Sequence, residues 1–162
     1  MNLDRNSNSI INIELFQGSV LRKRPEVEHE REVAIFDLLE KNKFELLDRG
    51  EISGPYNLKL SFKDGNMIFE VSDISEVFIK NIVLSIKPFR RLIKDYFLVC
   101  ESYFDAIKNM SPQQIEAIDM GRRSLHNEGA DILKERLAKF VDIDRSTARR
   151  FFTLLCVLQI RG

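Results

Sequence analysis

Tyr56-Asn57-Leu58-Lys59-Leu60-Ser61-Phe62-Lys63-Asp64-Gly65-Asn66-Met67-Ile68-Phe69-Glu70-Val71 is the stretch that decides the fold class. Tyr56, Leu58, Leu60 and Phe62 alternate with Asn57, Lys59, Ser61 and Lys63, which is the period-2 pattern of a half-buried strand. Asp64-Gly65 supplies the positive φ angles of a two-residue hairpin turn. The chain then returns with Met67, Phe69 and Val71 on one face and Ile68, Glu70 and Ser72 on the other. Similar signals mark strands at 11–16, 44–48 and 77–86.

Helices surround this β block. Pro25 suits the first turn of a helix reaching about Asn42. Pro88 opens a second helix. Its Phe89, Leu92, Ile93, Tyr96, Phe97, Cys100, Tyr103, Phe104 and Ile107 share about half of the helical wheel. Ser111-Pro112-Gln113-Gln114 reads as an N-cap, a first-turn proline and a capping-box partner. The helix it starts runs towards Phe140, either unbroken or interrupted at Gly129. Asp144 or a neighbour caps a last segment, 145–160, apolar nearly all round from Phe151 to Leu158. A buried helix is expected there, and a buried strand is its rival because periodicity does not separate the two. Strands first and helices later predict an α+β fold. An antiparallel sheet of four to five strands should carry the C-terminal helices mainly on one face.

The chain of 162 residues, 44% apolar and 31% charged, is expected to form one domain with a frayed tail over residues 1–9. Formal net charge is zero, so no overall basicity draws it to nucleic acid or an anionic membrane. The apolar runs are too short to span a bilayer, and the polar N-terminus lacks the layout of a signal peptide. A cytoplasmic location is therefore expected. Cys100 and Cys156 lie in apolar stretches and read as buried thiols. His29 and His126 are the only two histidines, so a metal site would need carboxylates to complete it, and none is expected.

One segment departs from ordinary patterning. Ile115, Ile118, Leu125, Ile132, Leu133, Leu137 and Phe140 share one arc of their helix, yet Arg122 and His126 fall in or beside that arc, with Asp119 at its edge. Asp119 and Arg123, and likewise Arg122 and His126, are spaced i, i+4. On the first helix Arg31 falls inside the stripe of Val27, Ala34 and Leu38, with Glu28 beside it at i, i+3. Arg122 and His126 are expected to meet Glu28 or another carboxylate across a helix contact. Buried charges left unpaired cost several kcal/mol. The bland outcomes are an ion-pair network that fixes packing or a subunit interface, or a helix break that returns these residues to solvent. The functional one is a pocket whose arginines hold a carboxylate or phosphate. Ser124 is a poor nucleophile for His126, because i, i+2 side chains point apart on a helix. The short basic clusters Arg22-Lys23-Arg24, Arg90-Arg91 and Arg149-Arg150 read as solvated helix ends or ion-pair partners.

Four stretches resemble an alphaproteobacterial family, uncharacterised protein family 0262. They are Arg24-Pro25-Glu26-Val27-Glu28-His29-Glu30-Arg31, Lys87-Pro88-Phe89-Arg90-Arg91, Lys94-Asp95-Tyr96-Phe97 and residues 115–129. The resemblance covers nearly the whole chain. It implies a bacterial cytoplasmic protein and brings no activity, cofactor or catalytic residue with it.

The leading functional expectation is a non-enzymatic regulatory or interaction protein, a homodimer in which Asp119, Arg122, Arg123, His126, Glu28 and Arg31 shape an interface or pocket. The alternative is a small enzyme or sensor of an anionic metabolite. Nucleic-acid binding through pooled basic patches ranks third, and neither a cofactor nor a membrane partner is implied.

Overall fold

The computed structural model describes residues 8–16, 25–48 and 53–159. Strand β1 (Ile10–Phe16) leads to helix α1 (Pro25–Glu40) and the short strand β2 (Phe44–Leu46). Strands β3 (Tyr56–Lys63), β4 (Asn66–Asp73) and β5 (Phe78–Ser85) follow as a meander. A 3-10 turn (Lys87–Phe89) opens into α2 (Arg90–Asn109), succeeded by α3 (Pro112–Leu137), β6 (Val141–Ile143) and α4 (Arg145–Gln159).

The β3–β4 hairpin forms in the expected register, with Leu60 opposite Phe69 and Lys63 opposite Asn66. Asp64 and Gly65 adopt φ values of 53° and 77°, the two positive angles a type I′ turn demands. The sheet order is β1-β3-β4-β5. Its core-facing residues (Tyr56, Leu58, Leu60, Met67, Phe69, Val71, Ile82 and Leu84) are all buried. Lys59, Val83 and Ser85 on the opposite face are exposed, so the helices lie on one face.

The sheet is mixed and not purely antiparallel. β1 runs parallel to β3, pairing Ile13 with Leu58 and Leu15 with Leu60. The physical reason is the connection: α1 crosses over between the two strands, and a parallel neighbour needs such a crossover. A second ladder pairs β2 with β6, Phe44 opposite Ile143 and Leu46 opposite Val141. β6 is three residues long and pairs with a strand almost a hundred residues away, so local alternation carries no signal for it. Of the tail expected over residues 1–9, only Asn8 and Ser9 lie among the described residues, and both are held. Asn8 O accepts from Phe44 N at 2.8 Å and Ser9 O from Tyr56 N at 2.9 Å, tying both residues to the sheet region.

α4 is the central helix, and the rival strand is set aside. Phe151 to Val157 are all buried, which a strand packed on one face would not need. α4 packs against α1, α3 and β3. Phe151 sits edge-on to Phe44 and Phe69, with centroids 6.2 and 5.4 Å away. Full burial of each ring at 151 and 152 contributes about 1.5–3 kcal/mol. Asp144 Oδ1 accepts from Thr147 N at 2.8 Å and caps this helix. Cys100 and Cys156 are buried free thiols.

α3 is continuous through Gly129, so the unbroken alternative holds. A Cβ at Gly129 would stand 2.3 Å from Phe152 Cδ1, so glycine is required for the close approach of α3 to α4. The capping box forms as expected: Ser111 Oγ accepts from Gln114 N, and Gln114 Oε1 accepts from Ser111 N. No described helix is long and apolar enough to cross a membrane.

Candidate anion-binding site

α1, α3 and α4 meet around a cavity of about 230 Å³. Arg122, Arg123 and His126 reach it from α3, Glu30, Ala34 and Asp37 from α1, and Arg149, Arg150 and Thr153 from α4. The helix phase that places Arg122 and His126 inward is the phase that aims them here. Four guanidiniums (122, 123, 149, 150) face three carboxylates (Glu30, Asp37, Asp119), an excess of one positive charge while His126 is neutral.

The floor is a buried ion pair. Arg122 Nη2 donates to both carboxylate oxygens of Glu30, and Tyr96 Oη donates to Glu30 Oε2 at 3.1 Å. The Glu30 side chain is 8% exposed and that of Arg122 24%, so this pair is shielded from screening. Burial works most strongly against the Arg122 charge, but Glu30, Tyr96 and Cys100 together outweigh it and leave the guanidinium above its ordinary pKa. The Arg122 guanidinium also lies 5.7 Å from the centroid of the Tyr103 ring. Burial, with Cys100 and Glu30 nearby, pushes the Tyr96 hydroxyl well above the usual phenol range.

His126 closes the floor. Its Nδ1 lies 2.9 Å from Arg122 O and its Nε2 3.0 Å from Thr153 Oγ1, while Tyr96 and Phe152 pack edge-on to the ring. A carbonyl only accepts, so Nδ1 carries the proton and donates to it. Neutral Nε2 then accepts from the Thr153 hydroxyl. Burial, reinforced by the positive charges of Arg122, Arg149 and Arg150, lowers the imidazole pKa to about 4, against the pull of the Arg122 carbonyl. The Thr153–His126 pair has the geometry of a hydroxyl and its base. An imidazole this acidic is a weak base at neutral pH.

The rim is looser. Arg123 bridges Asp119 at 3.4 Å and Arg150 bridges Asp37 at 3.7 Å, both carboxylates being about 40% exposed (41% and 39%). Exposed pairs of this kind contribute about 0–1 kcal/mol. Arg149 has no carboxylate partner among the described residues. Burial and the neighbouring charges of Arg150, Arg145 and Arg123 all work against its guanidinium and lower its pKa.

The sequence-derived cluster therefore divides. Arg122, Arg123, His126 and Asp119 border the cavity, although Asp119 pairs with Arg123 and not with Arg122. Glu28 and Arg31 pair with each other at 3.6 Å, one third or more exposed, and do not border it. The distant companion is Glu30. It stands three residues after Val27 and four before Ala34, a spacing that carries it inward. Glu28 lies on the flank of the Val27, Ala34 and Leu38 stripe shared by Leu39, which is 40% exposed. Thr153 was also missed, and its signal was a lone polar residue inside the apolar run of α4. Arg149 and Arg150 read as a solvated helix end or ion-pair partners; Arg150 does pair with Asp37, and the fold turns both onto the cavity. Arg91 is satisfied by Asp95 at 3.3 Å and Glu128 at 2.7 Å. Arg22-Lys23-Arg24 lies outside the described residues. No group of His, Cys, Asp and Glu able to hold a metal occurs among the described residues.

The pattern of Uncharacterised protein family (UPF0262) matches residues 7–161. The chain belongs to this family. A UPF0262 protein of Rhodospirillum rubrum is 52% identical over 158 residues, covering 98% of this chain and 96% of the relative. One from Rhizobium johnstonii is 52% identical over 148 residues, 91% of this chain and 93% of its own. Another, from Mesorhizobium japonicum, is 51% identical over 160 residues and 98% of each chain. No solved structure matches it. Membership of UPF0262 carries no activity to the cavity, so its chemistry has to be read from the residues themselves.

Proposed function

We propose that this protein is a cytoplasmic, non-enzymatic regulatory protein that binds a small anionic ligand, a phosphate or a carboxylate, in the cavity between α1, α3 and α4. The observation that carries this reading is Arg149, a partly buried guanidinium repelled by three other arginines and held by no carboxylate among the described residues. Such a charge lowers stability in the free protein, and an incoming anion would relieve it. Both ring nitrogens of His126 are engaged, and burial pushes the Cys156 thiol well up, which weighs against acid–base or thiol catalysis.

The test is thermal unfolding of the full chain with inorganic phosphate and with acetate, at constant ionic strength. A ligand at a hundred times its Kd stabilises by about 2.7 kcal/mol, which for this length raises Tm by roughly 5–10 °C. Arg149→Gln should abolish the shift and leave the unliganded protein as stable as before or slightly more so. No shift with either anion overturns the proposal.

The protein is also proposed to be a homodimer, paired through the free edge of β5. That strand is eight residues long with one charged side chain, Lys80, whose ammonium lies 5.1 Å from the centroid of the Phe140 ring. Phe78 and Val83 on the strand, and Ile74 and Val77 just before it, are each more than half exposed. An edge so weakly guarded pairs readily, and antiparallel self-pairing closes on two-fold symmetry. Sedimentation should give a dimer that Val83→Lys converts to a monomer, and a monomeric parent chain would sink the idea.

A further inference from the structure

We infer that the group recognised in this cavity is the phosphoryl group of a small phosphomonoester, and that a carboxylate is the poorer fit. This deepens the anion-binding reading and rests on it.

Three guanidiniums on two helices, Arg123 on α3 and Arg149 and Arg150 on α4, border one cavity above the Glu30–Arg122 floor. A carboxylate offers its lone pairs in one plane, and one or two arginine forks exhaust them. A phosphoryl group offers three oxygens in three directions, with a charge of about −1.5 to −2 at neutral pH. It therefore has an acceptor for each of the three arginines.

Arg123 and Arg150 are available for this exchange. Their bridges to Asp119 and Asp37 are long, at 3.4 and 3.7 Å, and water can solvate both carboxylates once they are released. Arg150 Nη1 stays on Ser146 Oγ at 2.9 Å, so Nη2 is the donor that changes partner. Arg122 is held in the floor through Nη2, which donates to both Glu30 oxygens. That same engagement leaves Glu30 compensated, so the floor repels an anion less than a bare carboxylate would. The mutual repulsion of Arg149, Arg150 and Arg123 scales in the same direction, since a divalent anion offsets more of it than a monovalent one. Val33 and Ala34 give the α1 side of the cavity an apolar wall, against which the carbon part of an ester can lie.

The experiment is calorimetric titration of the full chain with phenyl phosphate, inorganic phosphate, benzoate and acetate at one ionic strength. Phenyl phosphate should bind about tenfold or more tighter than benzoate, and inorganic phosphate similarly tighter than acetate. Arg123→Gln and Arg150→Gln should each weaken phenyl phosphate by about tenfold and change benzoate by less than about twofold. Far-ultraviolet circular dichroism of each variant establishes that it is folded, and Arg123→Lys and Arg150→Lys should recover part of the loss. Phenyl phosphate binding more tightly than inorganic phosphate identifies an ester as the ligand, and the reverse order overturns that part. Benzoate binding as tightly as phenyl phosphate, with Arg149→Gln abolishing both, overturns the phosphoryl inference and leaves the anion reading standing. Failure of all four anions to bind the parent chain overturns both.

Discussion

Glu30→Ala is expected to destabilise the protein by about 3 kcal/mol, the range for removing one member of a buried ion pair, discounted for the partial exposure of Arg122. For a chain of this length that lowers Tm by roughly 6–12 °C. The substitution strands the Arg122 guanidinium and takes from the Tyr96 hydroxyl its acceptor, so two buried polar groups lose partners together. Glu28→Ala, two residues away and paired with the half-buried Arg31 at 3.6 Å, should change stability by no more than about 1 kcal/mol. Removing both charges, as in Glu30→Leu with Arg122→Met, should recover much of the loss, because the cost lies in the unpaired charge rather than in the absent bridge. Urea unfolding of the four proteins measures all of this. A loss below about 1 kcal/mol for Glu30→Ala would mean that Arg122 finds other solvation and that the floor of the cavity is not a closed pair.

The second large effect is a pH dependence set by His126. Its folded pKa of about 4 lies below the ordinary imidazole value of 6.5, so the unfolded chain binds a proton first as pH falls. The stability tied to neutral His126 is present above about pH 6.5, is lost as pH falls towards 4, and changes no further below that. The shift corresponds to about 3 kcal/mol across the window. His126→Asn keeps an N–H for the Arg122 carbonyl, and the Thr153 hydroxyl can turn to the Arg149 carbonyl 3.3 Å away. The variant should be less stable at pH 7.5 from lost packing against Tyr96 and Phe152, yet its stability should fall less steeply between pH 6.5 and 4. The readout is the difference between the two slopes, which removes the contribution of carboxylates common to both proteins. Parallel slopes would show that His126 takes up its proton equally well in the folded state.

Much of this architecture is legible because local rules suffice for it. The alternation around Asp64-Gly65, the capping box at Ser111 and the inward phase of Arg122 and His126 each depend on residues within one or two turns of chain. The parallel β1–β3 pairing, the β2–β6 ladder and the continuity of α3 through Gly129 do not. Each rests on a partner distant in sequence: the crossover through α1, strand β2, or the ring of Phe152. The site divides on the same line. Arg122, Arg123, His126 and Asp119 share one helix, and their spacing brings them together. Glu30, Thr153, Arg149 and Arg150 join them only because α4 is buried between α1 and α3.

By itself, the sequence determined the class of fold, the caps, the hairpin and the fact that a charged side chain and an imidazole must point inward from α3. Only the tertiary structure decided which carboxylate answers Arg122, and that Arg149 is left facing a cavity with no answer among the described residues. The physical reason is that helical period sets the direction in which a side chain points. What it meets there depends on how whole helices pack, and a charge is satisfied or stranded only at that level.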